Sequence, residues 1–472
     1  MQLILKNARI PQGQGNDTVI TNILVNENKI AGFVNHVDGI EAQQVIDLEG
    51  KLVVPGCIDP HTHFMDPGFT HRETFETGSA SAAAGGLTTI VDMPCCSKPS
   101  VRSKDEFHAK WDKVKNNSYI DFGSWGGMTG EDVREDKLDN VWGQVEEGIT
   151  CFKVYMTPSV PTFPKVTDAE MLEIFAKVAE TGLPVGIHAE NFDICDFRVK
   201  KLRKEGRMDA PAWSEARNNL AEKVAIELVI SFAEATGARA HIVHMSTKEG
   251  VELVRQAKLR GVPITAETCP HYLVLNYKDA LTEFGTFAKV APPLRETADN
   301  EAHWKALADG TIDFVATDHA PYEIPIEKVG EGLNIWDSFP GFPGVETMVP
   351  VLVSEGLNKG RLTLQRFVEV TSTNGAILHG LYPQKGHMGM GADADFTVID
   401  LEREYTIDKD KVHTMAKYTP FHGMKLKGKP IMTIVRGTVV YDEDRGGLVG
   451  QVGYGQYVRR QTNIHPPRQI QF

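Results

Sequence analysis

The chain has 472 residues, 41% of them hydrophobic and 24% charged. That balance excludes a disordered or collagen-like polymer and leaves enough length for a large buried core. There are 50 Lys and Arg against 63 Asp and Glu, so the formal net charge is −13. With no clustered positive charge, neither nucleic acid nor an anionic membrane is an expected partner.

In chain order, the first stretch reads as short strands. Leu3 to Ile10, Thr21 to Val25 and Lys29 to Val34 are apolar or β-branched runs separated by Gly, Asn and Asp. From Leu52 an apolar run, a polar cluster and a helical stretch recur as a unit. The strand-like runs are 53–59, 88–93, 119–125, 151–155, 184–188, 240–244, 263–267 and 313–317. Between them, 169–179, 221–235 and 247–259 carry apolar residues at helical spacing. Eight strand–helix units predict a (β/α)8 barrel. After Tyr382 the β pattern returns, at Phe396 to Ile399 and at Ile431 to Tyr441 around Arg436-Gly437. The expected organisation is α/β: residues 1–54 plus 383–449 as a flanking β-sandwich, 55–382 as the barrel, and 450–472 as an oligomerisation arm.

Cysteine usage sets the compartment. The six cysteines contain no CxxC pair and are too sparse for a disulfide framework. The first residues lack a signal-peptide pattern, and no apolar run reaches membrane-spanning length. A cytoplasmic protein with reduced thiols is expected.

The chemistry sits where strands end. The first barrel strand runs into His61-Thr62-His63, whose two imidazoles share a face because strand side chains alternate. Lys153 lies within an apolar strand, two later strands end in His188 and His244, and the last leads into Asp318-His319. In a parallel barrel these positions share the C-terminal rim. Each has an ordinary reading alone: a structural His pair, a rim His, an Asp that caps a helix, a Lys that snorkels. Together, imidazoles from three strands with a carboxylate from a fourth form a metal-site pattern. A lysine aimed into several cations would lose its proton and react with carbon dioxide to give a bridging carbamate. The alternative is a Schiff-base lysine.

The run Pro55 to His63, the segment Gly85-Gly86-Leu87-Thr88-Thr89 with Asp92-Met93-Pro94, the Lys153 strand and Ala316-Thr317-Asp318-His319 resemble the cyclic amidohydrolases: allantoinases, hydantoinases (dihydropyrimidinases) and dihydroorotases. The resemblance implies a barrel with a β-sandwich and a binuclear metal centre. By motif, His61 and His63 bind the more buried metal, carboxylated Lys153 bridges, His188 and His244 bind the second, and Asp318 ligates the first and is the catalytic acid/base. Zinc suits that donor set, with manganese, cobalt and iron as alternatives. Metal-activated water would open a ring amide while Asp318 moves a proton to the departing nitrogen. The resemblance also implies backbone contacts to substrate at Ala291, Pro340 and Gly341, and a homotetramer in which Tyr454, Tyr457, Val458 and Phe472 clasp a neighbour. His319 reads as a neighbour of the metal ligands or a rim histidine bonded to water.

The substrate is less legible. The positions where dihydroorotases grip a carboxylate hold Met65, Cys95 and Tyr322, with only Arg72 nearby to substitute. Glu267 to Leu273, Asp66-Pro67-Gly68 and Trp125-Gly126-Gly127 resemble allantoinases. Phe342 to Glu346 and the tail around Tyr457 resemble hydantoinases, and Ser159-Val160-Pro161 an L-hydantoinase; Pro158 and Pro340 replace the Tyr and Asn of D-hydantoinases. Allantoinase is the favoured expectation, hydantoinase or dihydropyrimidinase the alternative, dihydroorotase the weaker one. A non-catalytic hydantoinase-like scaffold is the reading from another class; the survival of all six ligand-type residues argues against it.

Overall fold

A computed structural model describes residues 1–329 and 332–461. Eight strand positions run in sequence order around a parallel barrel: Cys57–Thr62, Leu87–Asp92, Asp121–Ser124 continued by Gly126–Gly127, Phe152–Tyr155, Pro184–His188, Arg239–Ile242, Ile264–Thr268 and Phe314–Val315. The ring closes where Thr62 bridges His319 and the His63 N–H donates to the His319 carbonyl at 2.8 Å. Asp59 reinforces the closure, accepting from the Thr317 N–H at 3.1 Å and the Thr317 hydroxyl at 2.5 Å.

The expected strand 53–59 divides in two. Leu52–Pro55 pairs with the terminal sheet and Cys57–Thr62 with the barrel. The hinge is Gly56, where a Cβ would stand 2.2 Å from Thr88 Oγ1, so only glycine allows the approach.

Helices wrap the barrel where their apolar stripes dictate. Asp168–Thr181 starts at a capping box of Thr167 and Glu170, buries Met171, Ile174, Phe175 and Val178, and stops at Gly182 with φ 69°. Asn219–Thr236 is capped by Asn218 and ends at Gly237 with φ 71°. Each buried aliphatic side chain on these faces contributes about 1.5–3 kcal/mol.

The terminal segments join in a nine-stranded sheet, eight strands in one hydrogen-bonded path and a ninth paired beside it, that wraps the β-sandwich core of Leu3, Leu5, Ile23, Val25, Phe396, Val398 and Ile434. Within the β-rich stretch 431–441, Arg436-Gly437 forms a two-residue hairpin loop: Val435 pairs with Thr438, and both loop residues have positive φ, at 45° and 74°. Buried Lys385 ties sandwich to barrel, donating to Asp121 and Asp395 at 2.7 Å and lying 3.0 Å from Asp393.

Residues 450–461 return to their own barrel. The Val458 N–H donates to the Phe122 carbonyl, and the Tyr457 ring packs on Phe107, Trp111 and Phe122. Arg460 donates to the carbonyls of Thr150 and Leu378. Phe472 lies outside the described residues. Among the described residues, no helix is long and apolar enough to cross a membrane.

Candidate active site

Strand ends bring five of the predicted ligand residues into one chain of rings and carboxylate. His61 and His63 ring centroids are 5.3 Å apart, His61 and His244 5.4 Å, and His244 and His188 4.7 Å. Asp318 Oδ1 stands 3.2 Å from His61 Nε2 and 3.1 Å from His63 Nε2. His188 Nδ1 faces His244 Nε2 at 3.1 Å. Asp318 and His244 both adopt left-handed backbone, with φ 51° and 39°, a strain that non-glycine residues bear where side-chain placement demands it.

Lys153 is fully buried. Among the described residues its Nζ has no hydrogen-bond partner, and neither do His61 Nε2 and His244 Nδ1. Orphaned buried polar atoms are costly, so a cluster of them signals a missing partner. Two pairs of nitrogens and an acidic oxygen converging in one buried pocket fit divalent cations of the zinc class.

The electrostatics of Asp318, Lys153, His188 and His244 agree with that donor set, whereas at His63 burial is outweighed by Cys95 and Asp318, which raise the imidazole to about 10. Burial works to raise the Asp318 carboxyl, but the neighbouring His61, His63 and His244 rings outweigh it and hold the group well below the carboxylate range. Burial pushes the Lys153 ammonium down. Burial, then the charges of His188 and Lys153, holds His244 well below the usual imidazole value, and burial also lowers His188. Neutral imidazole is the form that ligates.

Three residues around this pocket escape sequence reasoning. Glu267 accepts from His61 Nδ1, from His241 Nε2 at 3.1 Å and from the His244 N–H at 3.2 Å, so it orients two of the rings. Glu190 bonds His188 Nε2 at 2.8 Å and is braced by Arg217. Cys95 Sγ lies 3.5 Å from His63 Nδ1. Glu267 ends a barrel strand and Glu190 follows one by two residues, the same placement that singled out the histidines. His319 is fully buried; its Nδ1 accepts the Gly344 N–H at 3.1 Å, so it fixes the 342–346 stretch.

A pocket opens beside His188, lined by Pro158, Trp213, Ala291, Trp336, Phe339 and Pro340 among others. Two of the three predicted substrate-contact residues, Ala291 and Pro340, therefore share a wall with a predicted ligand. Gly341 stands behind it with φ 141°, its N–H on the Lys289 carbonyl at 2.8 Å. Its Cβ would come within 2.6 Å of the Ala320 carbonyl oxygen. Several polar side chains of the wall are engaged; Ser159, Asp337 and Ser338 also line it, and the buried Ser338 hydroxyl has no hydrogen-bond partner among the described residues. Trp213 Nε1 donates to the Val290 carbonyl and Trp336 Nε1 to the Arg207 carbonyl, both at 2.7 Å. Lys289 is bonded to the Ser338 carbonyl and Arg217 to Glu190. Arg72 is equally committed: it forms a two-point ion pair with Glu327 and packs on the rings of Phe69 and Tyr322.

Comparison with known proteins agrees with this architecture. The model of the amidohydrolase family matches residues 52–440. An L-hydantoinase of Paenarthrobacter aurescens is 35% identical over 98% of both chains. An allantoinase of Escherichia coli O139:H28 is 34% identical over 96% of this chain and 97% of its own. The solved L-hydantoinase (dihydropyrimidinase) from Arthrobacter aurescens superposes with a TM-score of 0.91 at 34% identity, covering 97% of this chain and all of that one. With a family model covering most of its length and full-length relatives above 30% identity, the chain belongs to the amidohydrolase family and is a hydrolase.

Proposed function

We propose that the chain opens the ring of a cyclic amide of the hydantoin type, with an apolar or aromatic group at ring position 5. The observation that carries the substrate class is the wall of the pocket beside His188. Its indole N–H groups, its lysine and its arginine are spent on protein partners, so much of what faces the pocket is ring and proline surface, beside the polar side chains of Ser159, Asp337 and Ser338. Such a wall suits a benzyl or alkyl substituent. The ureido group of allantoin would set several donors and acceptors against the apolar part of this wall, with only Ser159, Asp337 and Ser338 placed to pair them. The committed Arg72 also leaves no bidentate cation for a dihydroorotate carboxylate.

In this reading His61, His63 and Asp318 hold one divalent ion, His188 and His244 the second, and Lys153 bridges them as a carbamate. Zinc suits the set, with manganese, cobalt or iron as alternatives. Bound ions would supply Lewis-acid polarisation and an ionised water at neutral pH. Burial and missing partners favour a neutral Lys153 amine, whose nitrogen adds to carbon dioxide with release of one proton. Asp318 takes the proton of the attacking water and passes it to the departing ring nitrogen as the carbon–nitrogen bond breaks. The product is an N-carbamoyl amino acid. Backbone groups at Ala291, Pro340 and Gly341 orient the ring amide. We include the homotetramer in this reading, to be checked by mass in solution.

An allantoinase is the second reading, favoured by the 34% identical relatives and by the Glu267 to Leu273 stretch. Metal-loaded protein assayed side by side on allantoin, hydantoin, 5-methylhydantoin, 5-benzylhydantoin, dihydrouracil and dihydroorotate separates the two. Burial of a phenyl-sized group is worth about 1.5–3 kcal/mol, so kcat/KM for 5-benzylhydantoin should exceed that for hydantoin by about 10- to 100-fold. Faster opening of allantoin than of 5-benzylhydantoin would overturn the hydantoin reading in favour of the second. Ring opening of none of them would overturn both.

A further inference from the structure

Adjacent cysteines stand on the far side of His63 from Asp318. They follow Met93-Pro94 at the end of the Leu87–Asp92 strand, and both are buried. Cys95 Sγ lies 3.8 Å from Cys96 Sγ and 3.5 Å from His63 Nδ1, and the three donor atoms all fall within 4.8 Å of one another. The loop that carries them is braced. Ser100 and Thr162 hydroxyls both donate to the Cys95 carbonyl at 3.1 Å, and the Val101 N–H donates to the Pro94 carbonyl at 3.0 Å. The Tyr155 hydroxyl is 3.2 Å from Cys95 Sγ, placed to donate to a thiolate.

These spacings can be set against coordination geometry. A tetrahedral zinc-class ion with metal–sulfur bonds of about 2.3 Å holds two sulfurs about 3.8 Å apart; with a metal–nitrogen bond of about 2.0 Å it holds nitrogen and sulfur about 3.5 Å apart. Two of the three edges match the distances present, and the third, Cys96 Sγ to His63 Nδ1, lies within 4.8 Å. The nitrogen concerned is Nδ1, whereas Nε2 faces Asp318.

We propose that His63 Nδ1, Cys95 Sγ and Cys96 Sγ form a third metal site, taking a thiophilic divalent ion of the zinc–cadmium class, with solvent as fourth ligand. The proposal rests on the reading above in one respect, that His63 turns its Nε2 to the catalytic pair of ions. Binding displaces the two thiol protons and the Nδ1 proton to solvent, leaving His63 as an imidazolate shared between two ions. Two thiolates balance the charge of the added dication. Soft sulfur donors select zinc and cadmium over magnesium or calcium. Because the ion takes the nitrogen that orients the His63 ring, filling the site opposes turnover.

The test uses full-length protein kept reduced with a phosphine, which prevents a Cys95–Cys96 disulfide. Protein carrying two equivalents of zinc is titrated with cadmium, desalted, and analysed for total metal and for the ultraviolet thiolate-to-cadmium charge-transfer band. Wild type should gain one equivalent together with the band. The Cys95→Ser, Cys96→Ser double variant should keep two equivalents and gain neither. Turnover of the wild type should fall about tenfold or more as the third equivalent binds, and that of the double variant should not respond. No third equivalent in the wild type, a band that survives in the double variant, or wild-type turnover unmoved by the third equivalent would overturn the proposal. If the double variant fails to fold, cadmium-edge X-ray absorption of the wild type decides: two sulfurs and one nitrogen support the site, and a shell without sulfur overturns it. Loss of the two original equivalents would instead count against the catalytic pair, so the two failures are distinguishable.

Discussion

Replacing Glu267 with Gln keeps the shape of a fully buried side chain and removes its charge. In the native site the carboxylate accepts from His61 Nδ1, from His241 Nε2 and from the His244 backbone N–H. Accepting at Nδ1 fixes the His61 proton there and leaves the Nε2 lone pair facing Asp318 and the pocket. An amide has one oxygen for these donors, and its NH2 must turn to one of the two rings. If it turns to His61, that ring accepts at Nδ1 and carries its proton on Nε2, where it cannot ligate. Hydrogen bonds to a charged partner are worth about 1.5–3 kcal/mol, and loss of a carboxylate behind a ligating histidine weakens metal affinity about 10- to 100-fold. The two figures agree, since each tenfold is about 1.4 kcal/mol. Equilibrium dialysis against a buffered chelator, read by metal analysis, should show Glu267→Gln releasing one equivalent at about 10- to 100-fold higher free-metal concentration than wild type, with the other equivalent less affected. Two equivalents held with wild-type affinity would refute the orienting role of Glu267 and the assignment of His61 as a ligand.

Lys153→Ala should lose activity and metal, and short carboxylic acids should restore part of both by occupying the bridging position; a fully active, fully metallated variant would remove the carbamate. Asp318→Asn, assayed after metal loading, should lose turnover by more than it loses stability, because an amide cannot carry the proton; equal turnover would take Asp318 out of the reaction. Burial opposes the ionised form of Glu190, but Arg217 and His188 outweigh it and hold its carboxyl at about 2. A depressed folded-state value means stability that is present above pH about 4.5 and lost as pH falls toward 2, so metal-free wild type should lose about 3 kcal/mol across that window and Glu190→Gln should lose less, as read by urea unfolding. Lys385→Met removes a cation shared by three carboxylates; Arg436 still pairs Asp121 and Lys29 still pairs Asp393, but Asp395 is left buried without a cation, which should destabilise the chain by about 3–5 kcal/mol, seen as a lowered urea midpoint; an unchanged midpoint would show that the sandwich is held to the barrel by other contacts.

Much of the fold can be read from short stretches. Alternating apolar runs and capped amphipathic helices are decided by neighbours within a few residues, and the helix of Asp168–Thr181 carries its own start and stop in Thr167, Glu170 and Gly182. The division at Gly56 was not legible, because it depends on Thr88 and Asp395 pressing on a position with no room for a Cβ.

What the sequence by itself determined is which residues end the strands: His61, His63, His188, His244 and Asp318 are placed on one rim by strand order alone, since a parallel barrel puts all its strand ends on one face, and Lys153 lies within its strand. The tertiary structure decided what each of them meets. Glu267 reaches His61 across 206 residues, Glu327 takes Arg72 out of service across 255, and the tail finds its aromatic seat on the barrel surface around Phe107, Trp111 and Phe122. Pairings of this kind have no local periodicity to announce them. They arise only when the closed barrel brings distant side chains into a buried space where every charge and donor must find a partner.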